Sequence, residues 1–188
     1  IEIDGKFPKG PAADILFVVD NSGSMGPHQV NVSKHAEEIA KQVSISNNDF
    51  HIGITDTNFG LGQQFVKTEP GELLGSPKVI TNAVPNFVYA LSKNLVLGDS
   101  GSGMESLFEP VMFALTEPML SGKNKGFYRP KAHLGVVFLT DTEDQSEVSA
   151  WEFANFLVAL KDSGRDVVLV TNAHPDSLSL KIERTALD

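Results

Sequence analysis

Between Asp14 and Asp20 the chain runs Ile15-Leu16-Phe17-Val18-Val19, five apolar residues without a polar break. A strand with one face in water alternates apolar and polar residues, so this strand must be covered on both faces. Three other segments read the same way: Phe50-His51-Ile52-Gly53-Ile54-Thr55, His133 to Thr140 (HLGVVFLT) and Asp166-Val167-Val168-Leu169-Val170. Helical stripes lie between them. Val32, Ala36, Ile39, Ala40 and Val43 share one face, as do Leu107, Phe108, Val111, Met112, Leu115 and Met119. Trp151, Phe153, Ala154, Phe156, Leu157 and Leu160 form a third stripe, read as core.

Buried strands alternating with amphipathic helices predict an α/β domain. The expected form is a doubly wound, Rossmann-like, mostly parallel sheet, flanked by helices on both faces and carrying one antiparallel edge strand. Residues 1–13, rich in Gly, Pro and Lys, read as an N-terminal arm, and 14–188 as the domain. The first helix should open at Pro27, where proline suits a helix start. Residues 57–82 form a long insertion with Gln64-Phe65-Val66-Lys67 as a candidate edge strand, and a helix is expected near 83–93. Pro110 fits only in a first turn, so the helix containing it should start near Ser106. Gly164 reads as a C-cap, and the tail from Ala173 has a weak helical pattern. Only 18 residues follow Val170, so the closing elements are expected to be short, replaced or cut away.

Composition narrows the chemistry. A chain of 188 residues can bury roughly 70% of its extended surface without covalent staples. It has no cysteine, which excludes disulfides, thiol catalysis and zinc–thiolate sites. The net charge of −9 disfavours nonspecific binding to nucleic acid or anionic lipid, so no nucleic-acid partner is expected. No stretch approaches the roughly 20 apolar residues of a membrane span. The first residue is Ile1, so a processed product or an excised segment is expected.

Ligands of doubly wound sheets bind beyond the carboxyl ends of the strands, where strand order reverses. Two polar clusters occupy such ends. In Asp20-Asn21-Ser22-Gly23-Ser24 a carboxylate and two hydroxyls alternate, and Gly23 lets the backbone turn. Asp141 ends the 133–140 strand. If those strands are neighbours, the two carboxylates meet, and a divalent cation between them relieves their repulsion. Carboxylate and hydroxyl oxygens are hard donors suited to Mg²⁺, Mn²⁺ or Ca²⁺.

The segment DILFVVDNSGSM, Asp14 to Met25, resembles the opening of a von Willebrand factor type A domain, whose Asp-x-Ser-x-Ser loop belongs to a metal-ion-dependent adhesion site. Phe138-Leu139-Thr140-Asp141 resembles the later strand that ends in the second aspartate of that site. The likeness in order and spacing covers about residues 14–171. GSGMES, FHIGITDT and FYRPKAHLGVVFLTDTEDQS resemble bacterial envelope members most.

The resemblance implies a noncatalytic module that captures the Asp or Glu carboxylate of a protein partner through a bound Mg²⁺ or Mn²⁺, with Ca²⁺ as a further option. It implies that Ser22 and Ser24 ligate directly, and that Asp20 and Asp141 act directly or through water. The family's middle-loop threonine falls near Gly101 here, which has no side chain. Ser102 is the favoured replacement, with Ser100 and Glu105 as alternatives. Thr142 stands where the family usually has glycine. The resemblance also implies an extracellular, periplasmic or outer-membrane-associated location.

Other readings stay beside this one. Glu143, Asp144 and Glu147 could hold a second cation, Asp144 foremost, though a solvated face or a helix's first-turn charge explains them more simply. Asp56 ends the second strand and could support the site from behind its ligands, though a plain turn residue explains it more simply. None of the five histidines has the His-x-x-x-His spacing of a zinc helix. Gly98-Asp99-Ser100-Gly101 matches a serine-protease segment, but no histidine is tied to it. A Mg²⁺-dependent phosphohydrolase of the haloacid-dehalogenase kind also begins with a strand ending in Asp, but it needs a second Asp where Ser22 stands. A structural domain of an envelope assembly with a degenerate metal site is the remaining alternative.

Overall fold

The computed structural model describes residues 12–46, 49–59, 68–161, 167–172 and 181–183. In chain order the elements are β1 (Ala13–Val19), α1 (Gly26–Lys34), α2 (Ala36–Ser46), β2 (Phe50–Asp56), β3 (Ile80–Thr81), α3 (Phe87–Asn94), α4 (Phe108–Ala114), β4 (His133–Leu139), α5 (Ala150–Leu160), β5 (Val167–Asn172) and β6 (Lys181–Glu183). They build one sheet of order β3-β2-β1-β4-β5-β6. The four central strands are parallel, in register Val19↔Asp56 and Val19↔Leu139 on either side of β1.

The doubly wound, mostly parallel sheet is therefore as expected, except that both edges rather than one end in a short antiparallel strand. Within the tail, 181–183 is strand where the sequence suggested helix. The open edge of β5 offers unpaired backbone groups, and pairing with them outweighs a weak local preference. The candidate strand at 64–67 and the cap at Gly164 lie outside the described residues, as do residues 1–11 of the N-terminal arm; Ala13 already belongs to β1.

Every residue of β1 is buried, because alternate side chains serve two cores. Ile15, Phe17 and Val19 join Ile52, Ile54, Val137 and Leu139 under α1, α2 and α3. Leu16 and Val18 join Leu134, Val136 and Phe138 under α4 and α5. Gly53 is glycine because a Cβ there would lie 2.8 Å from Leu73 and 3.0 Å from Phe127. No helix among the described residues is long and apolar enough to cross a membrane.

Three helix readings change in detail. The stripe expected as one helix is divided at His35. The His35 N–H reaches back three residues to Val32 O, while its ring Nδ1 takes Asn31 O, the acceptor a continuous helix would have used. All five stripe residues stay buried. α3 begins at Phe87, later than expected. Trp151, read as core, is 75% exposed: Phe153 and Leu157 set the buried face of α5, and Trp151 points the other way. α5 starts at a capping box, with Ser149 Oγ accepting from Glu152 N at 3.3 Å and the Glu152 carboxylate accepting from Ser149 N at 2.9 Å. Pro110 does sit in the first turn of α4.

The amino-terminal end of the sheet is closed by charge. Asp14 is fully buried and accepts from Arg129 Nε at 2.8 Å and Arg129 N at 2.5 Å. Arg129 also reaches Asp49 and the Ala13 carbonyl. Burial pushes the Asp14 carboxyl up, and Arg129 opposes that. Lys161 is buried beside this cluster, donating to the carbonyls of Arg129 at 3.1 Å and Ala132 at 2.6 Å.

Candidate functional site

At the opposite end of the sheet, β1 and β4 are adjacent while the chain leaves them in different directions, so their carboxyl ends form the switch point. Asp20 and Asp141 both follow these strands, and the sheet continues one step past β1 through Asp20 N donating to Leu139 O at 2.9 Å. The predicted pair of loops is thus brought together.

Asp20 is fully buried. Its Oδ1 accepts from Ser22 N at 2.8 Å, which turns the chain, and its Oδ2 accepts from Thr140 Oγ1 at 2.8 Å. Ser22 is buried and Ser24 exposed, with their hydroxyls 3.4 Å apart. Either hydroxyl can donate to the other at that distance, which is close to the about 3.5 Å between neighbouring ligand positions on Ca²⁺ and longer than the about 2.9 Å on Mg²⁺. Asp141 Oδ1 is buried with no hydrogen-bond partner among the described residues. No ion pair to Asp20 or Asp141 is found among the described residues. A buried acceptor without a donor calls for an explanation, and an ordered water or an ion is one.

The middle loop is held against both neighbours. Gly101 N donates to Asn21 O at 2.8 Å, and Ser102 N donates to Asn58 Oδ1 at 2.9 Å. Ser102 Oγ accepts from Met104 N at 2.9 Å, so the favoured hydroxyl already closes its own turn. Ser100 is exposed. Glu105 is buried, its Oε2 accepting from Thr142 Oγ1 at 3.0 Å, and Thr142 Oγ1 lies 3.2 Å from Thr140 Oγ1. Thr140 thus gives its proton to Asp20 and Thr142 gives its proton to Glu105, and the third loop is tied to the first by one hydroxyl and to the middle loop by the other.

Asp144 serves elsewhere. Its Oδ1 accepts from Leu107 N at 2.9 Å, and Ser146 Oγ accepts from Leu107 N and Phe108 N, so together they cap α4. Glu143 and Glu147 are exposed, and no group of three or more His, Cys, Asp or Glu placed to hold a metal occurs among the described residues. Asp56 is more than a surface turn residue. It is buried, which pushes its carboxyl up, and it accepts from Asn58 N, Asn58 Nδ2 and Thr68 Oγ1.

Sequence reading missed Gln29 and Asn58. Gln29 is 1% exposed and makes four hydrogen bonds: Nε2 donates to Asp20 O at 2.7 Å and Gly98 O at 2.8 Å, and Oε1 accepts from Leu97 N and Gly98 N. The signal was present, since Gln29 lies in phase with buried Met25 and Val32 on the inner face of α1. Asn58 carried no such signal; its role depends on where the middle loop lies.

No family model matches the chain. The GMP/IMP nucleotidases YrfG of Escherichia coli (strain K12) and Shigella flexneri are each 58% identical to it over 33 residues, 18% of this chain and 15% of theirs. Among solved structures, proximal thread matrix protein 1 from the mussel byssus superimposes with a TM-score of 0.50 at 14% identity, over 89% of this chain and 39% of that one. A second crystal form of it gives 0.49 at 15% identity, over 87% and 38%. The likeness is one of fold, and this chain spans well under half the length of each of these proteins.

Proposed function

We propose that this chain is a noncatalytic recognition module of the von Willebrand factor type A kind, which binds a protein partner's Asp or Glu carboxylate at the ends of β1 and β4. The observation that carries the reading is the adjacency, at the switch point, of the loop with Asp20, Ser22 and Ser24 and the loop with Asp141, whose Oδ1 is buried without a hydrogen-bond partner among the described residues. Those four residues would hold Mg²⁺, Mn²⁺ or Ca²⁺, and the ion would supply positive charge and an open coordination position to a carboxylate. Ser22 and Ser24 offer neutral oxygens, which leave net positive charge on the ion. Asp20 holds the first loop in its turn, Thr140 fixes Asp20, and exposed Ser24 marks the mouth. An extracellular or envelope location goes with this reading.

The experiment is a thermal-shift and calorimetric titration with Mg²⁺, Mn²⁺ and Ca²⁺ after chelation, on wild type and Asp141→Ala. An ion that binds only the folded state stabilises it by about 2.7 kcal/mol at a hundredfold excess over Kd. Saturable stabilisation, lost in Asp141→Ala, is expected. Absence of binding by all three ions would leave the structural-domain reading in its place.

A second reading has one observation behind it, the 33-residue identity to GMP/IMP nucleotidases. It would make the chain part of a Mg²⁺-dependent phosphohydrolase. Ser22 stands against it, since that chemistry needs a carboxylate two positions after Asp20. Phosphate release from GMP or IMP in the presence of Mg²⁺, abolished in Asp20→Asn, would favour it over recognition.

A further inference from the structure

Resting on the metal reading, we propose that Asn21 supplies the protein oxygen that the middle loop does not. Asn21 lies between Asp20 and Ser22 and is 9% exposed. Its Oδ1 is buried and has no hydrogen-bond partner among the described residues. A Cβ at Gly101 would fall 2.1 Å from that oxygen and 2.4 Å from the Asn21 Cγ. The amide thus fills the place where a middle-loop side chain would begin, and the two loops are held together there by Gly101 N donating to the main-chain Asn21 O at 2.8 Å.

Two other oxygens of this loop already accept hydrogen bonds. Ser102 Oγ accepts from Met104 N, and Glu105 Oε2 accepts from Thr142 Oγ1 at 3.0 Å and from Gln145 Nε2 at 3.4 Å. An amide carbonyl is a hard, neutral donor of the sort divalent cations accept. A buried acceptor between two of the proposed ligand residues, with no N–H or O–H to satisfy it among the described residues, calls for a partner, and a cation is the one this reading supplies. Glycine at 101 and asparagine at 21 are then one device: the side chain lost from one loop is provided by the other.

The test is calorimetric titration of Mn²⁺ and Mg²⁺ into chelated wild type, Asn21→Leu and Ser102→Ala, with the Tm of each metal-free protein. Asn21→Leu should weaken ion affinity on the order of tenfold. Its metal-free Tm should not fall, because the change removes an unsatisfied acceptor rather than a hydrogen bond. Ser102→Ala should bind like wild type. Wild-type affinity in Asn21→Leu, or loss confined to Ser102→Ala, overturns the inference and leaves the metal reading standing. A wild type that binds neither ion overturns both. Should Asn21→Leu fail to fold, Asn21→Ala carries the same comparison.

Discussion

The Thr140 hydroxyl donates to Asp20 Oδ2 across 2.8 Å, joining the carboxyl ends of β4 and β1 through two buried side chains. Asp20 N is bonded to Leu139 O in the same place, so the first loop is held by backbone and side chain together. Thr140 also accepts from Thr142 N at 3.1 Å, which shapes the loop carrying Asp141. One hydroxyl thereby sets the spacing of both loops.

Thr140→Val keeps the shape and removes the hydroxyl. It leaves an Asp20 oxygen buried without its donor, at a cost of about 1–3 kcal/mol. Urea denaturation should show a lower midpoint with an unchanged slope. An unaltered midpoint would mean that Thr140 does not hold Asp20 in place.

The sheet was legible because its strands are buried on both faces: runs such as Ile15 to Val19 have one reading. The pair Asp20 and Asp141 was legible for the same reason, since each stands at the end of such a run, Asp20 directly after Val19 and Asp141 one residue later, after Thr140. What was not legible depended on approach between distant segments. Asn58 meets Ser102 across 44 positions, and Asp144 caps a helix 37 positions earlier. Trp151 misled because aromatic character suggested core, while helical phase places it opposite Phe153.

Gln29 joins α1 to the 97–98 segment through both ends of its amide. Gln29→Leu removes the acceptor of the Leu97 and Gly98 amides. Hydrogen exchange at these two amides should accelerate sharply, while β1 and β4 keep their protection. Unchanged exchange at 97 and 98 would refute the clamp.

Arg129→Met should be among the most damaging single changes. It leaves Asp14 fully buried without its cation, which costs about 3–5 kcal/mol. Arg129→Lys should recover only part of this, because one ammonium cannot reach Asp14, Asp49 and the Ala13 carbonyl together. Denaturant midpoints in the order wild type, Lys, Met are the expected result.

Glu72 gives the acid limb a signature. Burial pushes its carboxyl up, but hydrogen bonds from Lys123 at 2.8 Å and Lys78 at 2.7 Å outweigh burial and hold it at about 2. A depressed carboxyl stabilises the fold above its unfolded value, near 4.5, and loses that contribution as pH falls toward about 2. Wild type should therefore lose more stability than Glu72→Gln between these two values. Parallel stability–pH curves for the two proteins would show that the ion pairs contribute nothing.

Gly101 tests the packing of the first and middle loops without any ion. A Cβ there would meet Asn21 Oδ1 at 2.1 Å, and it would also meet the Asn21 main-chain oxygen at 2.7 Å. The side chain can swing away, but the carbonyl cannot, because it belongs to the turn between Asp20 and Ser22 and accepts the Gly101 N–H. Gly101→Ala should cost about 1–3 kcal/mol through overpacking. Adding Asn21→Gly should relieve only the side-chain part, so the double variant should stay below Asn21→Gly alone. Equal stability of those two proteins in denaturant titrations would mean that the main-chain contact yields freely and that the loops are not rigidly joined.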